Sequence, residues 1–173
     1  PDGGRAIIAN ALKTNTTVTN VQFLGDCDES VCDTLAVVLI CNSTLQNLTL
    51  RHQEEGADGR WLSSIFLSLG MNTTLKSLSV DISDEFGDEL CVAIRNGLAK
   101  NSTLVELSLK NMVFSDDNGA LSARNALSFL RTNSTLKSLT VSFTQTQRES
   151  YVSAFRLEAM KMMEENPSLE SLT

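Results

Sequence analysis

The sequence predicts an α/β fold built as a right-handed solenoid, a horseshoe segment with parallel strands on its concave side and helices on its convex side. Two observations predict it: a short motif that recurs at near-constant intervals, and a change of hydrophobic period inside every interval. The motif, Asn72-Thr-Thr-Leu75-Lys-Ser-Leu78-Ser-Val80, has counterparts beginning at Asn15, Asn42, Asn101, Asn133 and Asn166, at intervals of 27, 30, 29, 32 and 33 residues. Self-similarity at such a period marks supersecondary units that bury their apolar faces by stacking.

Each unit, indexed from its Asn, reads first as a strand. Three positions on lie Val18, Leu45, Leu75, Leu104, Leu136 and Leu169; six on lie Val21, Leu48, Leu78, Leu107, Leu139 and Leu172. Eight on lie Phe23, Leu50, Val80, Leu109 and Val141. The last two columns are two residues apart, so both side chains fall on one face of a strand, and the polar residues between them face the other way.

Before each Asn the period changes to that of a helix. Leu12, Leu39, Leu69, Leu98, Leu130 and Met163 lie three positions earlier, and Ile8, Leu35, Ile65, Ile94, Ala126 and Ala159 lie seven earlier. A spacing of four makes the apolar stripe of an amphipathic helix. The Asn suits a left-handed residue ending that helix. The Thr or Ser two positions later (Thr17, Thr44, Thr74, Thr103, Thr135, Ser168) ties down the helix-to-strand turn.

The pattern N-x-T-L-x-x-L-x-L with one helix per unit resembles the leucine-rich repeats of the ribonuclease-inhibitor class, found also in NOD-like receptor sensor regions and Ran GTPase-activating proteins. The resemblance covers essentially the whole chain and implies a recognition scaffold, with an innate-immunity-like role among its uses; it specifies fold far more than function. One column departs from it. Eleven positions after the Asn, where such repeats carry Asn or Cys, stand Asp26, Gln53, Ser83, Met112 and Thr144, so irregular loops are expected at 52–60, 81–88, 112–119 and 142–149.

The domain reading is one unit over residues 1–173, about five repeats of 27–33 residues with partial repeats at both ends. A helix at Ala6 to Leu12 opens the chain and a strand at Leu169 to Thr173 closes it, with no polar capping module at either end. The expectation is a fragment of a longer protein; the rival readings are self-association through the uncapped ends and irregular caps.

Composition excludes several classes of function. A formal net charge of −7 argues against nucleic-acid wrapping and against anionic lipid, and it steers basic protein partners if it steers anything. No apolar run approaches the length needed to span a bilayer. Cys27, Cys32, Cys41 and Cys91 show no disulfide spacing; Cys32 and Cys91 read as buried apolar residues, Cys41 as part-exposed, and Cys27 as a loop residue within reach of Cys32 or Cys41. Lone His52, with Gln53, Glu54, Glu55 and Asp58, reads as a solvated acidic loop rather than a metal site. Trp61 reads as core packing on the helical side. With no nucleophile–base pair and no phosphate loop, neither an enzyme nor a cofactor is expected.

Asn15, Asn42, Asn47, Asn72, Asn101 and Asn133 form N-x-S/T sequons, which motivates an alternative reading as a secreted, glycosylated recognition protein. Unpaired cysteines favour the cytoplasm. The leading expectation is a non-enzymatic protein-recognition module, the sensing or scaffold part of a larger intracellular, NOD-like-receptor-like protein; a GTPase regulator is the other alternative. The partner surface is expected on the concave face, at Asn20, Gln22, Asn47, Thr49, Arg51, Ser77, Ser79, Asp81, Glu106, Ser108, Lys110, Ser138, Thr140 and Ser142. Arg51, Asp81 and Lys110 also read as an internal salt-bridge ladder.

Overall fold

The computed structural model describes residues 3–25, 27, 29–52, 60–82, 87–113, 124–144, 149–166 and 168–173. The strands are β1 (Asn20–Leu24), β2 (Asn47–His52), β3 (Ser77–Ile82), β4 (Glu106–Met112), β5 (Ser138–Phe143) and β6 (Ser171–Leu172). Between them run helices α1 (Gly3–Leu12), α2 (Glu29–Cys41), α3 (Ser63–Leu69), α4 (Asp88–Lys100) and α5 (Glu149–Glu165). Single 3-10 turns precede α3 (Arg60–Leu62) and end the helical stretch 124–131 (Ser128–Arg131). Most of the loops expected to be irregular lie outside the described residues, as do Asp26, Gln53, Ser83, Glu54, Glu55 and Asp58.

The six strands form one open, all-parallel sheet in chain order, so the fold is α/β with one strand and one helical segment per repeat. Its register follows the sequence columns. Val21 pairs with Leu48, Leu48 with Leu78, Leu78 with Leu107, Leu107 with Leu139, and Leu139 with Leu172. A one-residue slip would turn every apolar side chain to the open face, so the pattern itself holds the register. Leu45, Leu75, Leu104 and Leu136 close the space between strand and helix at 1 % exposure or less. Each such leucine contributes about 1.5–3 kcal/mol relative to an exposed one.

The helical columns need two corrections. In α1 the buried residues are Ala9 and Leu12, and Ile8 is 56 % exposed, whereas its counterparts Leu35, Ile65 and Ile94 are almost fully buried. Among the described elements α2 is the one neighbour against which α1 packs extensively, so α1 buries only the side turned to it. In α5 Met162 is fully buried and Met163 only partly, a rotation of one position. Trp61 packs partly buried against the core, in line with its sequence reading.

The Asn of each repeat does not end its helix in the left-handed conformation. Asn101 is extended, with φ −73° and ψ 132°, and among the described non-glycine residues only Asn111 has positive φ. The motif Asn instead works through its side chain, in two directions. In Asn101, Oδ1 accepts the N–H groups of Thr103 (3.0 Å) and Leu104 (2.7 Å), while Nδ2 donates to the carbonyls of Leu69 (2.7 Å) and Asn72 (3.4 Å) in the preceding repeat. Asn42, Asn133 and Asn166 make the same two-way connection, and Asn72 makes it through Leu39 O. The Thr two positions later joins in: Thr44, Thr74 and Thr103 donate Oγ1–H to carbonyls of the previous unit. Polar backbone at the helix-to-strand turns is thereby satisfied inside the stack, as burial requires.

Candidate functional site

The side chains that alternate with the buried columns form the open face of the sheet. None of the residues expected there is buried: Asn20, Gln22, Arg51, Glu106, Lys110 and Ser142 are exposed and the rest are half-exposed. The strand pleat accounts for this placement, since each lies one residue from an inward neighbour.

Two polar clusters organise the face. At one edge Asn47 Nδ2 donates to Asn20 Oδ1, and Asn20 Nδ2 donates to Thr19 Oγ1 at 2.9 Å. At the carboxyl ends of the strands a chain of contacts crosses from β2 to β5. Arg51 Nε lies 3.7 Å from Asp81 Oδ2, Asn111 Nδ2 donates to Asp81 Oδ1 at 2.6 Å, and the Asn111 N–H donates to Ser142 Oγ at 3.1 Å. The expected ladder of Arg51, Asp81 and Lys110 therefore stops at Asp81. Lys110 sits beside Asp81 in register without an ion pair to it among the described residues, and Asn111 supplies the contact from β4 instead.

Asn111 reaches that position through a β-bulge. Leu109 pairs with Val141 and Met112 with Phe143, so two residues of β4 oppose the single Ser142 of β5. The extra residue takes φ 58°, a conformation Asn tolerates better than most residues. The bulge also explains Met112, which stood out in the column eleven after the Asn: the inserted residue moves it into the core, where it is 1 % exposed. Arg51→Ala is expected to change stability by less than about 1 kcal/mol, because its ion pair is largely solvated. A chemical-denaturation loss well beyond that would show the cluster to be cooperative.

A second concavity, not foreseen from the sequence, lies where β5 runs past the two-residue β6. It encloses about 410 Å³ between Val141, Phe143, Val152, Phe155, Ala159 and Leu172, with Glu149 and Arg156 supplying charge. Phe143 and Phe155 meet edge to face with centroids 5.1 Å apart.

The cysteines sort by burial. Cys27, Cys32 and Cys91 are buried, Cys41 is exposed on α2, and none of the four is in a disulfide, so Cys27 is bridged to neither Cys32 nor Cys41. Burial, followed by the nearby Asp88 carboxylate, pushes the Cys91 pKa from 9.0 up to about 12. The folded value lies above the unfolded one, so the native state holds this proton longer. The associated stability is present below about pH 9 and is lost as pH rises toward 12. Labelling the folded chain with a maleimide at neutral pH is expected to modify Cys41 alone, and all four thiols once denatured; fast labelling of Cys91 in the native state would contradict its burial.

Among the described residues no group of three or more His, Cys, Asp and Glu side chains converges as a metal site would require. Asn42, Asn72, Asn101 and Asn133 are at most 6 % exposed, with their amide N–H groups committed to neighbouring carbonyls. A glycan on any of these four would have to displace that bond and open the stack. No described helix is long and apolar enough to cross a membrane.

No family model matches the sequence, and no curated protein matches it. Solved structures do match the fold. The structure described as leiomodin-1 actin-binding site 2 superposes with a TM-score of 0.63 at 18 % identity, covering 94 % of this chain and 90 % of that one. The tropomodulin C-terminal domain of Caenorhabditis elegans superposes with a TM-score of 0.57 at 11 % identity, covering 94 % and 93 %. These matches overturn the assignment to the leucine-rich repeats of the ribonuclease-inhibitor class, and with it the innate-immune association; of the expected solenoid, the structure shows the α/β class and the all-parallel sheet. A strand-plus-helix period dictates how units stack and leaves the family open, which is why the motif misdirected the assignment. In fold, this chain is similar to the tropomodulin and leiomodin domains: a small α/β unit on an open six-stranded parallel sheet.

Proposed function

We propose that this chain is a non-enzymatic protein-binding domain that works in the cytoplasm and takes actin as its partner through the open face of the sheet. The observation that carries the reading is the likeness over 94 % of the chain to a domain described as an actin-binding site. The face itself supports it. It offers amides, hydroxyls and one half-exposed ion pair across adjacent strands, a hydrogen-bonding surface suited to a broad protein contact. Four cysteines outside any disulfide and four sealed sequons favour a reducing compartment over the secreted, glycosylated alternative. The NOD-like-receptor and GTPase-regulator readings lose their basis with the family resemblance that suggested them.

Co-sedimentation with actin filaments and fluorescence titration of actin monomer test the proposal, using the chain and its Ser79→Lys/Ser108→Lys variant. Binding that the variant weakens at least about tenfold is expected, as for a charge forced into a contact centre. Absence of binding to both filament and monomer would remove actin as the partner. Undiminished binding by the variant would move the contact away from the open face. Mass spectrometry of natively expressed material showing glycans on Asn42, Asn72, Asn101 or Asn133 would overturn the cytoplasmic assignment.

A further inference from the structure

The outer surface of α2 and α3 carries an apolar patch with a lysine on either side, separate from the exposed apolar pairs Ile7 and Ile8 on α1 and Leu157 and Met160 on α5. Five positions before the motif Asn, α2 and α3 place Val37 and Leu67, 45 % and 51 % exposed. Two positions before it α2 places Ile40, and one position before it Met71 follows α3, 46 % and 66 % exposed. In the same three columns the neighbouring helices are polar but for one small residue: α1 and the turn after it have Asn10, Lys13 and Thr14, and α4 has Asn96, Ala99 and Lys100. The four helices stand side by side in chain order, so the apolar pair is bracketed by Lys13 on one side and Lys100 on the other.

The surface is shaped as well as apolar. Gly70, which caps α3 in the column of Ile40, carries no side chain there, and the aliphatic stem of Lys100 lies 3.4 Å from where its Cβ would stand. Val37 and Ile40, spaced by three, and Leu67 and Met71, spaced by four, place two rows of exposed apolar side chains on adjacent packed elements, and the space between such rows is a furrow in the ridge-and-groove sense. Such a furrow accepts the ridge of a third helix. Neither Lys13 nor Lys100 has an ion-pair partner among the described residues, and the acidic residues Glu29, Asp33, Asp88 and Glu89 lie toward the opposite ends of α2 and α4. The rim at this end is thus basic on a chain whose net charge is −7.

We infer that the outer face of α2 and α3 is a docking groove for an amphipathic helix of a protein partner, one whose apolar stripe is flanked by acidic residues. The stripe would sit between the two ridges, and the flanking carboxylates would meet Lys13 on one side and Lys100 on the other. Apolar anchors at helical spacing provide the affinity in such contacts, and the charges fix orientation and exclude basic helices. The groove faces away from the sheet's open side, so it is independent of the actin reading.

The probe is a fluorescein-labelled designed helix of about 20 residues with a leucine stripe flanked by glutamates, paired with a version flanked by lysines. In anisotropy titrations at low salt the glutamate helix is expected to bind at least about tenfold more tightly than the lysine helix, and added salt is expected to narrow the gap. Lys13→Glu/Lys100→Glu is expected to abolish or reverse that preference. Ile40→Glu/Leu67→Glu changes two solvent-exposed positions, so folding is retained and is checked by a thermal melt. It is expected to weaken the glutamate helix at least about tenfold, while Ser79→Lys/Ser108→Lys leaves it unchanged. Equal binding of the two helices, or binding indifferent to Ile40→Glu/Leu67→Glu, would overturn the inference. So would concentration-dependent self-association abolished by that variant, which would give the groove to a second copy of this chain.

Discussion

Asn101→Ala is expected to lower the free energy of unfolding by about 3 kcal/mol, a large part of what a small domain possesses. The residue is 4 % exposed and works in both directions along the stack. Removing it leaves the Leu104 N–H, at a fully buried position, without its acceptor at 2.7 Å, and the half-buried Thr103 N–H without its own. The Leu69 carbonyl keeps the Asn72 N–H at 3.2 Å and the Asn72 carbonyl keeps Thr103 Oγ1 at 3.4 Å, so the acceptors lose less than the donors. One buried donor left unsatisfied costs about 1–3 kcal/mol, and the lost inter-repeat bonds add to it. Asn101→Asp keeps the acceptor and sets a second oxygen against the Leu69 carbonyl, so it is expected to be no milder than the alanine.

The same column provides its own controls. Asn15 accepts from Thr17 and Val18 N–H groups but has no hydrogen bond from its Nδ2 among the described residues, and it is half-exposed. Asn15→Ala is therefore expected to cost only about 1 kcal/mol, the scale of an exposed cap. Asn47→Ala, on the open face, is expected to stay within about 0.5 kcal/mol. Urea titrations of the three variants would order them Asn101, Asn15, Asn47; a flat series would refute the view that the motif Asn joins one repeat to the next.

This gradient also marks what the sequence could and could not disclose. Strand columns such as Leu48, Leu78 and Leu107 were legible because a period of two admits one register only, and the pairing follows it residue for residue. The helical stripe was legible in the middle of the stack and failed at Ile8, because burial of an end helix depends on how many neighbours it has. The motif Asn was located correctly and its task misread: a hydrogen bond from Asn101 to Leu69 joins residues 32 apart, and no local rule reports it. The polar residues of the open face and the Arg51–Asp81 pair followed from alternation and register, while the place of Asn111 beside Asp81 did not, since it enters through a bulge that local pattern does not announce. The family was the least legible part, because stacking physics constrains period and not ancestry.

Gly97→Ala sets local propensity against packing, and packing is expected to win. Gly97 lies in the interior of α4, where alanine favours the helix by about 1 kcal/mol in isolation. Yet a Cβ at this position would overlap the Phe66 carbonyl oxygen of α3 and stand 2.7 Å from the carbonyl carbon. Backbone cannot swing aside as a side-chain tip can, so α3 and α4 must separate, and the fully buried Phe66, Ile65 and Leu69 between them must lose contact. Overpacking of this kind costs about 1–3 kcal/mol, and here it also strains the Asn101 connection, whose N–H donates to the Gly97 carbonyl at 3.0 Å. The expected net result is a destabilisation of about 2 kcal/mol or more. Gly70 gives the contrast: its φ is −62°, and a Cβ there would meet its neighbours at no less than 3.4 Å, so Gly70→Ala is expected to be neutral or mildly stabilising. Thermal and denaturant melts of the two variants decide the matter by sign. If Gly97→Ala matched or exceeded the parent in stability, the close approach of α4 to the α3 backbone would not be a feature of the folded chain, and the α2–α3 groove built beside it would need to be redrawn.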